Sequence, residues 1–228
     1  MRIYFVRHGH PDYTKDCLTE LGHLQAEAAA QRLKDIRFDR ICSSTRNRAY
    51  ETALHIAKPH GLEVTQWDFM REIGWGSIDE EPIFEKGHPW HTACDMVSRG
   101  LNIHSPTWAQ EEPFCHNKVV GYVEAVQQNL DEWLAGFGYI REGLYYRVQN
   151  GSDETIAMVS HAGSSSAALA RLFNMQFPAM CASMSPNFTG ITVVDLTGKP
   201  GSLIAPSLGL FNDARHIEGI EGNAMIEQ

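Results

Sequence analysis

The feature that most constrains this chain is a pattern that occurs twice: an apolar run that ends in histidine with a glycine close behind. Arg2-Ile3-Tyr4-Phe5-Val6 is short and rich in β-branched and aromatic residues, which predicts a buried strand. It runs directly into Arg7-His8-Gly9. Thr155-Ile156-Ala157-Met158-Val159-Ser160 is a second buried strand, and it runs into His161-Ala162-Gly163. In an open α/β sheet, ligands bind beyond the carboxyl ends of the strands. If the two strands are parallel, both imidazoles stand on that edge.

The intervening chain predicts such a sheet. Thr19 is a suitable N-cap for a helix that continues through the alanines at 26–30 to about Lys34, with Glu20 favourable near its start. Arg40-Ile41-Cys42-Ser43 reads as a strand, about Arg46 to His60 as a helix closed by Pro59 and Gly61, and Leu62 to Thr65 as another strand. Later, Val119, Val123, Val126, Leu130 and Trp133 recur at helical spacing, a stripe that belongs to a core. An alanine-rich helix follows Gly163 to about Phe173. Ile191 to Leu196 is a strand, residues 202–205 are a further candidate, and the polar tail after Pro206 is expected to wrap the surface. The alternation predicts an α/β fold: a three-layer α/β/α arrangement with a mostly parallel central sheet.

The pattern breaks between about Ser77 and Asn117. This stretch holds Pro82, Pro89, Pro106 and Pro113, four histidines and two tryptophans, with a candidate helix only near 90–99. Connections of that length are usually lids or binding loops. The expectation is one domain over residues 1–228 with a cap inserted at about 77–117.

Two further segments reach the same edge. Ser43-Ser44-Thr45-Arg46-Asn47-Arg48-Ala49 is a strand end that enters a helix with two arginines, and Met70-Arg71-Glu72-Ile73 places a carboxylate just before the cap. The helix N-terminus at Gly163 favours an anion. Arginines, two histidines and one carboxylate suit phosphoryl transfer. A net charge of −9 argues against a nucleic-acid or anionic-membrane surface, yet a few arginines can still form a local anion pocket. No run is apolar and long enough to span a bilayer, and no secretory signal is evident, so a cytoplasmic protein is expected. Five scattered cysteines predict reduced thiols. Oligomeric state is not legible in the sequence.

On these residues the chain resembles the histidine phosphatase superfamily, the phosphoglycerate-mutase-like fold. Arg7-His8-Gly9 matches its R-H-G. Leu18-Thr19-Glu20-Leu21-Gly22-His23-Leu24-Gln25-Ala26 matches L-T-x-x-G-x-x-Q-A. Ser43, Ser44, Arg48, Ala49, Thr52 and Ala53 match S-S-x-x-x-R-A-x-x-T-A. Arg71-Glu72-Ile73 with Trp75 and Gly76 follows, then Ser160-His161-Ala162-Gly163, and more loosely Pro186-Asn187 before Ile191.

The resemblance implies a metal-independent, cofactor-free phosphomonoester hydrolase that takes a small anionic phosphorylated metabolite, with no nucleic-acid or membrane partner. His8 would be the nucleophile. Arg7, Arg48 and His161 would hold the phosphoryl oxygens, aided by Ala162, Gly163 and His10. Glu72 would be the acid–base group, which requires a partly buried carboxyl with a raised pKa. His8 must be neutral, so its second ring nitrogen should donate to a backbone carbonyl.

The alternatives are a phosphoglycerate-mutase-type phosphotransferase and a non-catalytic phospho-ligand binder. The chain departs from the family at His10-Pro11-Asp12, where Glu-Thr or Glu-Ser is usual, and at Ile78-Asp79-Glu80, where Trp-Glu-Gly is usual. The arginine- and proline-rich cap sequence of the mutases is not found between 77 and 117. Arg46 reads as a rim residue, and Glu80 and Glu81 are competitors for the acid role. His88, His91, Cys94, Cys115 and His116 read as ordinary cap residues rather than zinc ligands, and His216 as a tether for the tail.

Overall fold

The computed structural model describes residues 1–222; the last six residues of the tail and of the expected domain lie outside the described residues. The elements that position the site are β1 (Arg2–Arg7), a two-residue pair β2 (Pro11–Asp12) and β3 (Cys17–Leu18), α1 (Glu20–Leu33), β4 (Arg40–Ser44), α2 (Asn47–Ala57), β5 (Val64–Trp67), α3 (Pro89–Ser98) and α4 (Val119–Gly136). The chain continues through β6 (Tyr139–Glu142), β7 (Tyr145–Val148), β8 (Thr155–Ser160), α5 (Ala162–Phe173), α6 (Phe177–Ser183), β9 (Ile191–Asp195), β10 (Leu203–Ile204) and β11 (Ser207–Asp213).

The central sheet has six strands in the order β11-β9-β1-β8-β4-β5. β1, β8, β4 and β5 are parallel, while at one edge β9 pairs antiparallel with β1 and β11 antiparallel with β9. Arg7 is in register with Ser160, so the two histidines that follow leave the sheet side by side. Alternation along β1 makes the three layers. Ile3 and Phe5 join a core with α4 and α5, while Tyr4 and Val6 join a second core with α1 and α2.

The tail departs from expectation. Ser207–Asp213 does not wrap the surface but forms the edge strand β11. Its pairing is interrupted after Leu208 and after Leu210, and its outer residues are exposed. A bulged edge strand buries little, so it carries little hydrophobic signal. Leu203–Ile204 joins a separate three-stranded sheet with the hairpin β6–β7, and neither that hairpin nor α6 was anticipated. Each is only four to seven residues long, too short for periodicity to mark. His216 does hold the tail, with Nε2 3.0 Å from Thr189 Oγ1.

The irregular stretch is pinned at both ends. Ser77 and Asn117 form an antiparallel bridge, flanked by Ile78 N–H to His116 C=O (2.9 Å) and Lys118 N–H to Gly76 C=O (2.8 Å). Inside it, α3 packs on α6, and Trp108 meets Phe114 edge-on at 5.2 Å and lies 5.9 Å from Phe177.

Candidate active site

The site begins with two backbones that touch. A Cβ on Gly9 would meet Gly22 O at 2.5 Å, and one on Gly22 would collide with His10 O, so the loop after β1 crosses α1 where both residues must be glycine. The crossing is fastened by side chains. Thr19 caps α1 by accepting from Gly22 N–H (3.1 Å), Gln25 Oε1 accepts from His10 N–H (2.7 Å), and Thr52 Oγ1 accepts from Gly9 N–H (3.1 Å). The Thr, Gly and Gln near the start of α1 and the Thr on α2 are therefore the supports of the His8 loop.

His8 and His161 are 1% and 0% exposed, with ring centroids 5.0 Å apart. His8 Nδ1 lies 2.7 Å from Gly9 O, and Arg48 Nε–H reaches His8 Nε2 at 3.2 Å. A carbonyl oxygen can only accept and a guanidinium can only donate. The proton is thus on Nδ1, and Nε2 carries the lone pair. Burial, then the charges of Arg7 and Arg48, hold the His8 pKa well below its ordinary value, which keeps the ring neutral. His161 is depressed in the same direction, first by burial and next by His8. Its Nε2 is 2.8 Å from Ser44 Oγ.

The arginines are held from outside the anion position. Arg7 donates to Pro186 O at 2.8 Å, and its guanidinium lies 4.0 Å from the Phe188 ring centroid. Arg48 pairs with Asp16 through Nη1. Asp16 also accepts from Asn47 N–H at 3.2 Å. Asp16 is a residue that sequence reasoning missed: it stands in a left-handed conformation (φ 52°) at the end of a loop with no motif.

Glu72 is half-buried. Its Oε1 accepts from Ile73 N–H and Gly163 N–H, each at 3.0 Å. Both bonds fall on Oε1, which leaves Oε2 to carry a proton. Burial raises the Glu72 pKa, against the opposing pull of Arg7. The Gly163 N–H expected to serve a phosphate is thus engaged by Glu72, and a Cβ at Gly163 would stand 2.5 Å from that carboxylate.

Arg7, Arg48, Glu72 and Ala162 line one cleft of about 1320 Å³, and Arg46 lines it too, as a rim residue should. His10 is not among the lining residues; its Nδ1 is 2.9 Å from Thr19 Oγ1 and its ring packs against Phe188. From the loop after Gly9 it is Tyr13 and Asp16 that reach the cleft, rather than residues 10–12. His88, Trp90, His91 and Cys94 form part of its wall. Among the described residues the group with metal-ligand spacing is Glu112, Cys115 and His116, none of which lines this cleft.

A model of the histidine phosphatase superfamily (branch 1) matches residues 3–133, more than half of the chain. The chain belongs to this superfamily. A probable phosphoglycerate mutase of Yersinia pestis is 32% identical over 92 residues, which cover 36% of this chain and 43% of that protein. The match thus spans less than half the length of the curated relative. Solved histidine phosphatases align over nearly all of both chains. A phosphoserine phosphatase from Entamoeba histolytica, in complex with 3-phosphoglyceric acid, is 25% identical with a TM-score of 0.62, over 95% of this chain and 98% of that one. A mycobacterial glucosyl-3-phosphoglycerate phosphatase is 25% identical with a TM-score of 0.64, over 92% and 98%. No helix among the described residues is long and apolar enough to cross a membrane.

Proposed function

We propose that the chain is a phosphomonoester hydrolase that works through a phosphohistidine on a small phosphorylated metabolite, as one domain whose inserted cap at about 77–117 shapes the substrate site. The observation that carries this reading is the tautomer of His8, whose Nε2 lone pair is held by Arg48 at 3.2 Å. Nε2 attacks phosphorus in line as the ester P–O bond breaks. Arg7, Arg48 and His161 take up the charge spreading over the equatorial oxygens, which is most of what this chemistry requires. Arg48 exchanges its bond to Nε2 for one to a phosphoryl oxygen. Glu72 gives its proton to the leaving alkoxide, then removes one from the water that attacks phosphorus and breaks the P–N bond. The balance is ester plus water to alcohol plus phosphate. Ala162 stands at the α5 N-terminus beside the anion.

The test is to trap the intermediate. Glu72→Gln, mixed with 4-nitrophenyl [³²P]phosphate, whose leaving group needs no proton, and quenched in base, should retain label that is released in acid, because a phosphoramidate is base-stable and acid-labile. If neither Glu72→Gln nor the wild type retains label, the assignment is overturned. Conversion of 3-phosphoglycerate to 2-phosphoglycerate, in place of phosphate release, would assign the chain to the mutases instead.

A further inference from the structure

The cleft is larger than a phosphoryl group and a three-carbon acid need. At about 1320 Å³ it exceeds the roughly 300–1,000 Å³ of ordinary small-molecule sites. Its wall is built from rings. Trp75 meets His88 edge-on at 5.0 Å, and His88 in turn lies 4.4 Å from His91 and 6.0 Å from Trp90. Trp75 thus has a braced ring, yet 41% of it faces solvent. Tyr122 is 49% exposed beside it, and a Cβ on Gly74 would strike its ring at 2.7 Å, so the tyrosine lies directly against the chain that carries Trp75. Tyr13, 52% exposed, is set over the Arg48 guanidinium at 5.2 Å, next to the phosphoryl position. Of the six exposed aromatic side chains among the described residues, these three line this cleft. Exposed aromatic surface gathered in one concavity marks a binding site. Asp68, Arg71 and Asn129 on the same lining can bond to heteroatoms.

We infer that the preferred substrate is a phosphomonoester whose alcohol carries a flat aromatic or heteroaromatic ring, packed against Trp75 and Tyr122 while the phosphoryl group rests on Arg7 and Arg48. This rests on the hydrolase reading and narrows its substrate class. Stacking on one aromatic side chain contributes on the order of 1–3 kcal/mol per ring, about 5- to 150-fold in kcat/KM.

The test compares esters that share a leaving-group type and differ in the ring. Adenosine 5′-monophosphate is set against ribose 5-phosphate, and 2-phenylethyl phosphate against hexyl phosphate, with phosphate release as the readout. At least one ring-bearing ester should exceed its partner by about tenfold or more. Trp75→Ala should bring that ratio toward one by raising KM for the ring-bearing ester, and Trp75→Phe should restore it. Ratios near one in the wild type, or a Trp75→Ala variant that lowers both members of a pair equally, overturn the inference. If ring-free esters are hydrolysed in a His8-dependent manner without ring preference, only this inference falls. If no ester is hydrolysed in a His8-dependent manner, the hydrolase reading falls with it.

Discussion

His8 and His161 lie almost fully buried beneath the cleft, whereas Trp75, Tyr13 and Tyr122 stand half-exposed on its walls. The two regions are assembled by different means. The floor comes from parallel strand ends in fixed register, and its groups are oriented by hydrogen bonds: Gly9 O and Arg48 for His8, Ser44 for His161, two backbone N–H groups for Glu72. The walls come from irregular chain and are held by ring contacts. Hydrogen bonds in a buried floor fix atoms to within tenths of an ångström, as phosphoryl transfer demands. Ring packing holds a shape and tolerates change of side chain. On the proposed function, the chemistry belongs to the floor and the choice of substrate to the walls.

The largest expected effect breaks the floor alone. His8→Ala should lower kcat on 4-nitrophenyl phosphate by about 10⁴-fold or more, with a thermal transition near that of the wild type. Activity within tenfold of wild type would show that His8 is not the nucleophile. Next comes the anchorage of the walls. Trp108→Ala removes the ring packed between Phe114 and Phe177 and should cost about 3–5 kcal/mol in denaturant unfolding. A loss below about 1 kcal/mol would mean that the cap stands apart from the core.

A pH profile sharpens the assignment of the floor. Glu72, raised by burial, must be protonated to act as the acid, so kcat/KM on an alkyl phosphate should fall as pH rises through its folded pKa. His8, depressed by burial, should stay neutral well into the acid range, so the acid limb lies below the ordinary histidine value. Glu72→Gln should abolish the alkaline limb, and a limb that survives would assign it to another group.

The smallest effect concerns stability. His216, whose pKa burial lowers from 6.5 to about 4, takes up a proton more readily when unfolded. Its stabilising contribution is complete above pH 6.5 and is lost as pH falls toward 4, at most about 3 kcal/mol. His216→Asn should flatten that part of the stability curve; an unchanged slope would exclude the tether as its source.

Within the fold, β1, β4 and β8 were legible because parallel strands buried on both faces read as continuous apolar runs. Thr19 was legible because capping is local chemistry. β11 and the β6–β7 hairpin were not, since an edge strand and a four-residue hairpin bury too little to leave a pattern. The same division holds at the site. Arg7, His8, Arg48, Glu72 and His161 could be named from the chain as candidates, and the raised carboxyl and neutral imidazole were expected from the roles proposed for them. Asp16 on Arg48 and the ring-built wall could not, because they join residues with no shared spacing.

The sequence by itself determined which strand ends meet, since burial and right-handed parallel connections leave few ways to arrange them. It also carries glycine at positions 9 and 22, although the need for glycine there became visible only when the two backbones were seen to cross. Tertiary structure alone decided that the Gly163 N–H serves Glu72, that His10 turns toward Thr19 and Phe188, and that Tyr13, Trp75 and Tyr122 share one cleft. Those outcomes depend on side-chain directions across segments far apart in sequence, which no periodicity encodes.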